Sequence, residues 1–170
     1  CLSLKLNDPD LAEQFRSKGY QIAFFDTFLM EEKLGWLVRE ALPGCMCVLD
    51  SQDLHFLRYA RSQRPSFLLS VHQLDFNNRQ TYRELASIYR CDLTLVISYA
   101  EKKLLREKFH IEPSALLYLP FLYDDVHRDL KNDFPARNGL LVLGNFQHKP
   151  NLDQAKYVIK KLNTQIQKHL

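Results

Sequence analysis

The segment between residues 139 and 153 combines features suited to binding a phosphate-bearing ligand. Residues 140–143 are apolar and predict a buried strand, Gly144 and Asn145 predict a turn, and Pro150 opens an amphipathic helix. In α/β domains, a strand followed by a glycine turn and a helix places a phosphate near the helix N-terminus. The segment therefore predicts the start of a ligand-binding α/β domain.

A second group of polar side chains follows the predicted strand 45–49. These residues are Asp50, Asp53, His55 and Arg58. The carboxylates and the imidazole are metal-ligand types, but the group needs a further ligand, so we predict no metal site. Two alternatives stay open for the same residues. The aspartates are equally suited to cap the following helix, and the histidine to be a partly buried packing residue.

Strand and helix patterns alternate along the chain. Strands are predicted at residues 20–25, 45–49, 92–97 and 115–119, and helices at 31–42, 54–63 and 99–109. A further helix, capped by Asn77 or Asn78, carries Tyr82, Leu85, Ala86 and Tyr89 on one side. The dipeptide Arg64-Pro65 breaks the second helix.

This alternation predicts an α/β fold, a Rossmann-like parallel sheet with helices on both faces. Ligands of such sheets bind beyond the carboxyl ends of the strands. The segments at those ends are 26–28, 50–55, 98–101 and, in the second domain, 144–151. Ser98 and Glu101 belong to this set, although a capping box at the start of the helix explains both.

Residues 120–138 hold two prolines and several aspartates and asparagines without periodicity, which is typical of a connection between domains. We therefore predict one domain over residues 1–120, a linker over 121–138 and a second domain starting at 139. Because the second domain contains only one βα unit before residue 170, we expect the chain to be a fragment.

Composition excludes several classes of protein. The 23 basic and 20 acidic residues are interspersed and give a net charge of +3, so no nucleic-acid groove is predicted. The basic residues of the helix 99–109 form a solvated face, or alternatively a patch for peripheral contact with anionic lipid. The four cysteines lack the spacing of a zinc or redox motif and favour a reducing, cytoplasmic compartment. No signal peptide or membrane-spanning run is visible.

Four motifs together resemble the nucleotide-sugar-dependent glycosyltransferases of the GT-B type, most closely glycosyltransferase family 4. They are FDTFLMEE (25–32), VLDSQDLHFLR (48–58), IYRCDL (88–93) and LGNFQHKPN (143–151). The resemblance implies two facing Rossmann-like domains. This chain would supply part of the acceptor-side domain and the first βα unit of the donor-side domain.

The resemblance also implies an activity. A family member moves a sugar from a nucleotide-sugar donor to a sugar, lipid or protein acceptor, usually with retention of configuration and with no cofactor beyond the donor substrate. In this chain Lys149, and after it His148, would contact the donor diphosphate. Gly144 and Asn145 would let the backbone approach it.

On the acceptor side, the resemblance places Asp53 and His55 as the catalytic residues that contact the transferred sugar. Asp50 and Arg58 flank them, and Ser98 and Glu101 are further candidates for lining the cleft. Because most of the donor domain is missing from the chain, we expect this chain alone to be inactive.

Two alternatives of other classes remain. One is a non-catalytic or degenerate α/β module that packs against a partner through an apolar surface. The other is a GT-B enzyme with different chemistry, such as an epimerase or a phosphorylase.

Overall fold

Short apolar strands form a four-stranded sheet in which strand order follows chain order. The computed structural model describes residues 8–63, 70–122 and 139–166. The strands are β1 (Ile22–Asp26), β2 (Met46–Asp50), β3 (Leu93–Val96) and β4 (Leu116–Tyr118). All neighbouring pairs are parallel, with order β1-β2-β3-β4. The predicted α/β class with a parallel Rossmann-like sheet is confirmed.

Helices connect the strands. They are α1 (Leu11–Lys18), α2 (Phe28–Ala41), α3 (His55–Gln63), α4 (Arg79–Arg90) and α5 (Tyr99–Phe109), with single 3₁₀ turns at Val71–Gln73 and Pro113–Ala115. Asn78 caps α4 through its side chain, which confirms the predicted cap at that site. The break predicted at Arg64-Pro65 lies outside the described residues.

Five helices of the first unit, α1 to α5, pack on one face of the sheet. Right-handed crossovers between strands that neighbour each other in chain order place every connecting helix on the same side. The core accordingly joins one set of alternating strand residues to all five helices. Its strand members are Phe25, Cys47, Leu49, Val96 and Leu116, and its helix members include Leu11, Phe15, Leu34, Val38, Phe56, Ile88, Leu104 and Leu105.

The opposite face of the sheet carries exposed apolar side chains near β1. Ile22 is 62% exposed and Phe24 is 57% exposed, whereas Phe25 between the two faces inward. Met46, the register partner of Ile22, is exposed as well. The sequence predicts helices on both faces of the sheet. Among the described residues of the first unit, helices cover the face that carries Phe25. We refer to Ile22, Phe24 and Met46 as the open face.

Helix α2 is joined to α4 by a buried charge cluster. The Glu31 carboxylate is completely buried and accepts hydrogen bonds from Arg39 (Nη2 to Oε1, 2.8 Å) and Arg90 (Nε to Oε1, 3.0 Å). Burial opposes ionisation of Glu31, but the hydrogen bonds from Arg90 and Arg39 outweigh burial and lower its pKa. The cluster holds Glu31 in the charged form.

Gly35 leaves room for this cluster, so adding one methyl group at this position should destabilise the protein. A Cβ at Gly35 would lie 2.5 Å from Glu31 Oε1 and 2.9 Å from Arg39 Nη2. Because Arg90 also holds the carboxylate, we expect Gly35→Ala to lower the free energy of unfolding by about 1–3 kcal/mol despite the better helix propensity of alanine.

Gly44→Ala is the matched control in a chemical denaturation series. A Cβ at Gly44 would meet no atom within 4 Å, so we expect a change within about 0.5 kcal/mol. Equal stabilities of the two variants would contradict the close packing assigned to Gly35.

The chain divides into two compact units, Cys1–Tyr123 and Asp124–Leu170. In the second unit, residues 140–143 form no strand; α6 (Lys149–Tyr157) continues through a π-helical turn at Val158–Leu162 into α7 (Asn163–Ile166). The predicted strand 140–143 is therefore not formed, since a strand needs a hydrogen-bonded neighbour and no described residue pairs with this segment. The predicted linker lies, from residue 123 onward, outside the described residues.

Candidate functional site

The carboxyl edge of the sheet brings the ends of β1, β2 and β3 side by side. Asp26 pairs with Asp50, and Asp50 pairs with Leu95, so the loops that follow these strands leave from the same edge. Buried Ser51 anchors the loop after β2, because its Oγ donates to the Leu95 carbonyl at 2.8 Å. The edge therefore gathers three of the segments predicted to lie at strand ends.

Asp50 organises the first turn of the loop after β2. Its Oδ1 accepts the N–H of Gln52 at 3.1 Å, and its carbonyl accepts the N–H of Thr27 at 3.0 Å. The Gln52 side chain in turn hydrogen bonds Asp26. Asp50 therefore has a structural role in tying the ends of β1 and β2 together.

Thr27 has an uncommon backbone conformation at the end of β1. Its φ is 72°, in a region that β-branched residues rarely adopt. Residues held in such regions tend to cluster at functional sites, where the surrounding structure stabilises the strain. Here the strained residue lies beside the loop that carries Asp53 and His55, because the Thr27 N–H donates a hydrogen bond to the carbonyl of Asp50 at the end of β2.

Asp53, His55 and Arg58 form one group at the start of α3. The Arg58 Nη1 lies 2.9 Å from Asp53 Oδ2 and 3.0 Å from Oδ1. The His55 Nε2 lies 3.6 Å from Asp53 Oδ1, beyond a good hydrogen bond. The structure therefore brings together three of the predicted site residues, whereas Asp50 has separate partners.

The His55 ring packs edge-on against Phe28 of α2, with ring centroids 5.4 Å apart and planes at 87°. Burial lowers the pKa of His55, and the charge of Arg58 lowers it further, although Asp53 acts in the opposite direction. The imidazole is therefore neutral at neutral pH. A neutral imidazole can both donate and accept a hydrogen bond.

Neither aspartate caps α3. The N–H groups of His55 and Phe56 donate instead to the Glu84 carboxylate of α4, at 3.0 and 2.7 Å, and the N–H of Leu54 lies 3.4 Å from Glu101 Oε1 of α5. The alternative in which Asp50 and Asp53 cap the helix is therefore wrong. Carboxylates distant in sequence satisfy these helix-start donors.

Sequence reasoning missed Glu84, although α4 contains a signal. The buried side of α4 is not the one that carries Tyr82 and Tyr89, which are exposed. It is the stripe Thr81, Glu84, Ser87 and Ile88. A lone acidic residue in a buried helical stripe requires a partner, and that requirement identifies Glu84 once the stripe is known.

Ser98 caps α5, as predicted, by accepting the N–H of Glu101 at 3.4 Å. The reciprocal half of the predicted capping box is absent, because the Glu101 carboxylate is directed to Leu54. Its Oε2 is buried and has no hydrogen-bond partner among the described residues. Burial raises the pKa of Glu101.

The predicted donor loop lies in the second unit. Asn145 shapes it, since its carbonyl accepts the N–H of His148 at 3.0 Å and the Asn151 side-chain amide at 3.1 Å. The Asn151 side chain would lie 3.2 Å from a Cβ at Gly144, closer than most Cβ contacts. A larger residue at this position would therefore require Asn151 to shift.

His148 and Lys149 are both exposed at the start of α6. His148 occupies the cap position but makes no side-chain capping bond. A cation beside a helix N-terminus is suited to an anionic ligand, because both the charge and the backbone N–H groups attract it. The structure thus keeps the predicted basic residues accessible.

Within residues 8–63, 70–122 and 139–166, no group of three or more His, Cys, Asp or Glu side chains converges as metal ligands. None of the helices in the same ranges has the length and apolar character required to cross a membrane.

Comparisons with known proteins returned no match: no family model, no curated protein and no solved structure resembles the chain significantly.

Proposed function

We propose that the protein is a glycosyltransferase that moves a sugar from a nucleotide-sugar donor to an acceptor, with retention of configuration. The observation that carries the proposal is the group Asp53, His55 and Arg58, positioned at the carboxyl edge of a parallel α/β sheet. Ligands of such sheets bind at that edge. The four motifs quoted above add the resemblance to glycosyltransferase family 4.

The chemistry of sugar transfer suits a neutral, positioned imidazole. In the transition state, positive charge develops on the sugar and negative charge on the departing phosphate, so the enzyme gains most from groups fixed near these centres. His55 is half-buried against Phe28 and neutral. It is suited to hydrogen bonding a sugar hydroxyl, with Asp53 and Arg58 beside it.

The leaving diphosphate requires a different environment. Lys149 and His148 are exposed at the start of α6. Gly144 and Asn145, in the loop that precedes this helix, are exposed as well. In the proposed enzyme, Lys149 stabilises the negative charge that develops on the diphosphate, with His148 in support.

The proposed partners are the nucleotide-sugar donor and a sugar, lipid or protein acceptor, with peripheral contact to a membrane if the acceptor is a lipid. We place the protein in the cytoplasm. The free thiols of Cys45, Cys47 and Cys91 support a reducing compartment.

Saturation-transfer NMR on the full-length protein tests the proposal with a panel of nucleoside diphosphates and nucleotide sugars. We expect Lys149→Ala to weaken the binding of both ligand types about tenfold, because the substitution removes one charge-assisted contact. We expect His55→Ala to weaken the nucleotide sugar while leaving the nucleoside diphosphate unchanged, because His55 contacts only the sugar.

Matched controls exist on the same helices. Lys156→Ala removes an exposed lysine from α6, and Tyr59→Ala removes an exposed ring from α3, so neither should alter binding. The proposal would be contradicted if folded protein gave no binding signal with any ligand of the panel, or if the control and test variants had equal effects.

One observation favours a second candidate, a non-catalytic module that binds a partner. The open face exposes Ile22, Phe24 and Met46 on the sheet, and contiguous apolar surface of this kind marks interaction sites. This candidate would be favoured if the folded protein bound no nucleotide but formed a stable protein complex that Phe24→Lys abolished.

A further inference from the structure

Glu84 is a buried carboxylate to which the proposed chemistry assigns no role. Its side chain is only 1% exposed. It accepts the backbone N–H groups of His55 and Phe56, which are consecutive residues at the start of α3. A carboxylate accepts such bonds strongly, and its burial makes their loss costly.

These contacts determine where α3 begins. The first N–H groups of a helix have no acceptor within the helix. Here Glu84 supplies acceptors from α4, and Glu101 supplies one from α5 to Leu54. The position of the His55 backbone therefore depends on a helix more than 20 residues away in sequence, since its bond to Glu84 spans 29 residues.

We propose that Glu84 is a positioning residue whose ionised carboxylate fixes the start of α3 and the His55 ring, and whose protonation releases one of the two N–H groups. The carboxylate takes its proton from solvent, and the protonated oxygen becomes a donor and a much weaker acceptor for the backbone N–H. The consequence for sugar binding rests on the proposed function, but the control of His55 by Glu84 does not.

Burial of Glu84 places this event near neutral pH. Burial raises the pKa of Glu84 to about 7, against the hydrogen bonds from Phe56 and His55. Above that pH the carboxylate is ionised and holds both N–H groups, and below it one is released. Other charged groups on the packed elements are Asp53 and Arg58 beside α3, Glu101 on α5, and Glu31 and Glu32 on α2, which are paired with Arg90 and Arg83 of α4.

His55 itself does not account for a transition at this pH. Its pKa is lowered from 6.5, so its own titration lies at more acidic pH. Substitution of Glu84 separates the two events, because it removes only the titration of Glu84.

A ligand-free NMR titration of the full-length protein, from about pH 5.5 to about pH 8.5, tests the inference. We expect the amide signals of His55 and Phe56 to shift together with a midpoint near 7. Their protection from hydrogen exchange, corrected for intrinsic rates, should fall about tenfold below the midpoint. The His55 ring protons should move with the same midpoint, because the ring rests on Phe28.

Substitutions identify the group responsible. In Glu84→Gln, which cannot ionise, the shared transition should disappear, whereas Glu101→Gln should keep it. If Glu84→Gln does not fold, selective ¹³C labelling of glutamate carboxyl groups in the wild-type protein identifies the carboxylate that titrates. Absence of a shared transition in the wild-type protein, or its persistence in Glu84→Gln, would overturn the inference. Neither result depends on nucleotide-sugar binding.

Discussion

Phe56→Ala should lower the free energy of unfolding by about 3–5 kcal/mol, the largest single effect that we expect in the first unit. Phe56 is completely buried and packs edge-on against Phe76 and Phe109, with ring centroids at 5.5 and 5.3 Å. Phe76 and Phe109 also contact each other at 5.6 Å. Removing the shared ring leaves a cavity that both neighbours border.

Tyr59→Ala on the same helix is the control for this prediction. Tyr59 is 44% exposed, so we expect its loss to cost about 1 kcal/mol or less in the same denaturant titration. If Phe56→Ala were no more destabilising than Tyr59→Ala, the aromatic cluster would not be the packing centre that joins α3 to α5.

Arg90→Met should cost about 3 kcal/mol, because it leaves the completely buried Glu31 with fewer compensating charges. The effect should depend on pH. The folded state lowers the pKa of Glu31 below 4.5, so its ionised form stabilises the wild-type protein above that pH and the stabilisation is lost as pH falls. In Arg90→Met this loss in acid should shrink, which urea unfolding at several pH values would measure.

Arg83→Met provides a matched comparison between the same two helices. Arg83 pairs with Glu32 of α2, whose side chain is 24% exposed, and its guanidinium lies 5.4 Å from the Phe28 ring centroid. Because water reaches this pair, we expect a cost of about 1 kcal/mol. Equal costs for the two substitutions would contradict the distinct role assigned to the buried Glu31.

The strands and several helix starts of the first unit follow from local sequence. The apolar run before Asp26 predicts β1, and Ser98 predicts the start of α5, because strand periodicity and capping act over a few residues. Helix α2 begins at Phe28, earlier than the predicted residue 31. Thr27 precedes it with a positive φ, a conformation that propensity does not favour for threonine.

The contacts that hold the candidate site were beyond prediction from local pattern. Asp50 and Asp53 satisfy the rule that aspartates cap helices, yet the donors of α3 bind Glu84 and Glu101. The rule counts only neighbours in sequence, whereas tertiary packing places acceptors from α4 and α5 at the same helix end. The grouping of Asp53, His55 and Arg58 was predictable, because all three lie within one turn of the same helix start.

The second unit shows the limit of a strand prediction made from one segment. Residues 140–143 are apolar as a buried strand would be, but Leu141 and Leu143 are exposed and no described strand pairs with them. Helix α6 forms where its local signals place it, since a helix satisfies its backbone internally. A strand depends on a neighbour that no local pattern provides.

The most direct test of the proposed activity is NMR of the full-length protein incubated with each nucleotide sugar of the panel and candidate sugar, lipid or protein acceptors, in which ³¹P signals report on the donor and ¹H signals on the anomeric configuration of the product. We expect one donor to be converted to its nucleoside diphosphate, a glycosylated product to appear with the donor's anomeric configuration, and His55→Ala to slow this conversion while Tyr59→Ala does not. Folded protein that releases no nucleoside diphosphate from any donor, or releases it equally in His55→Ala, would contradict the proposal.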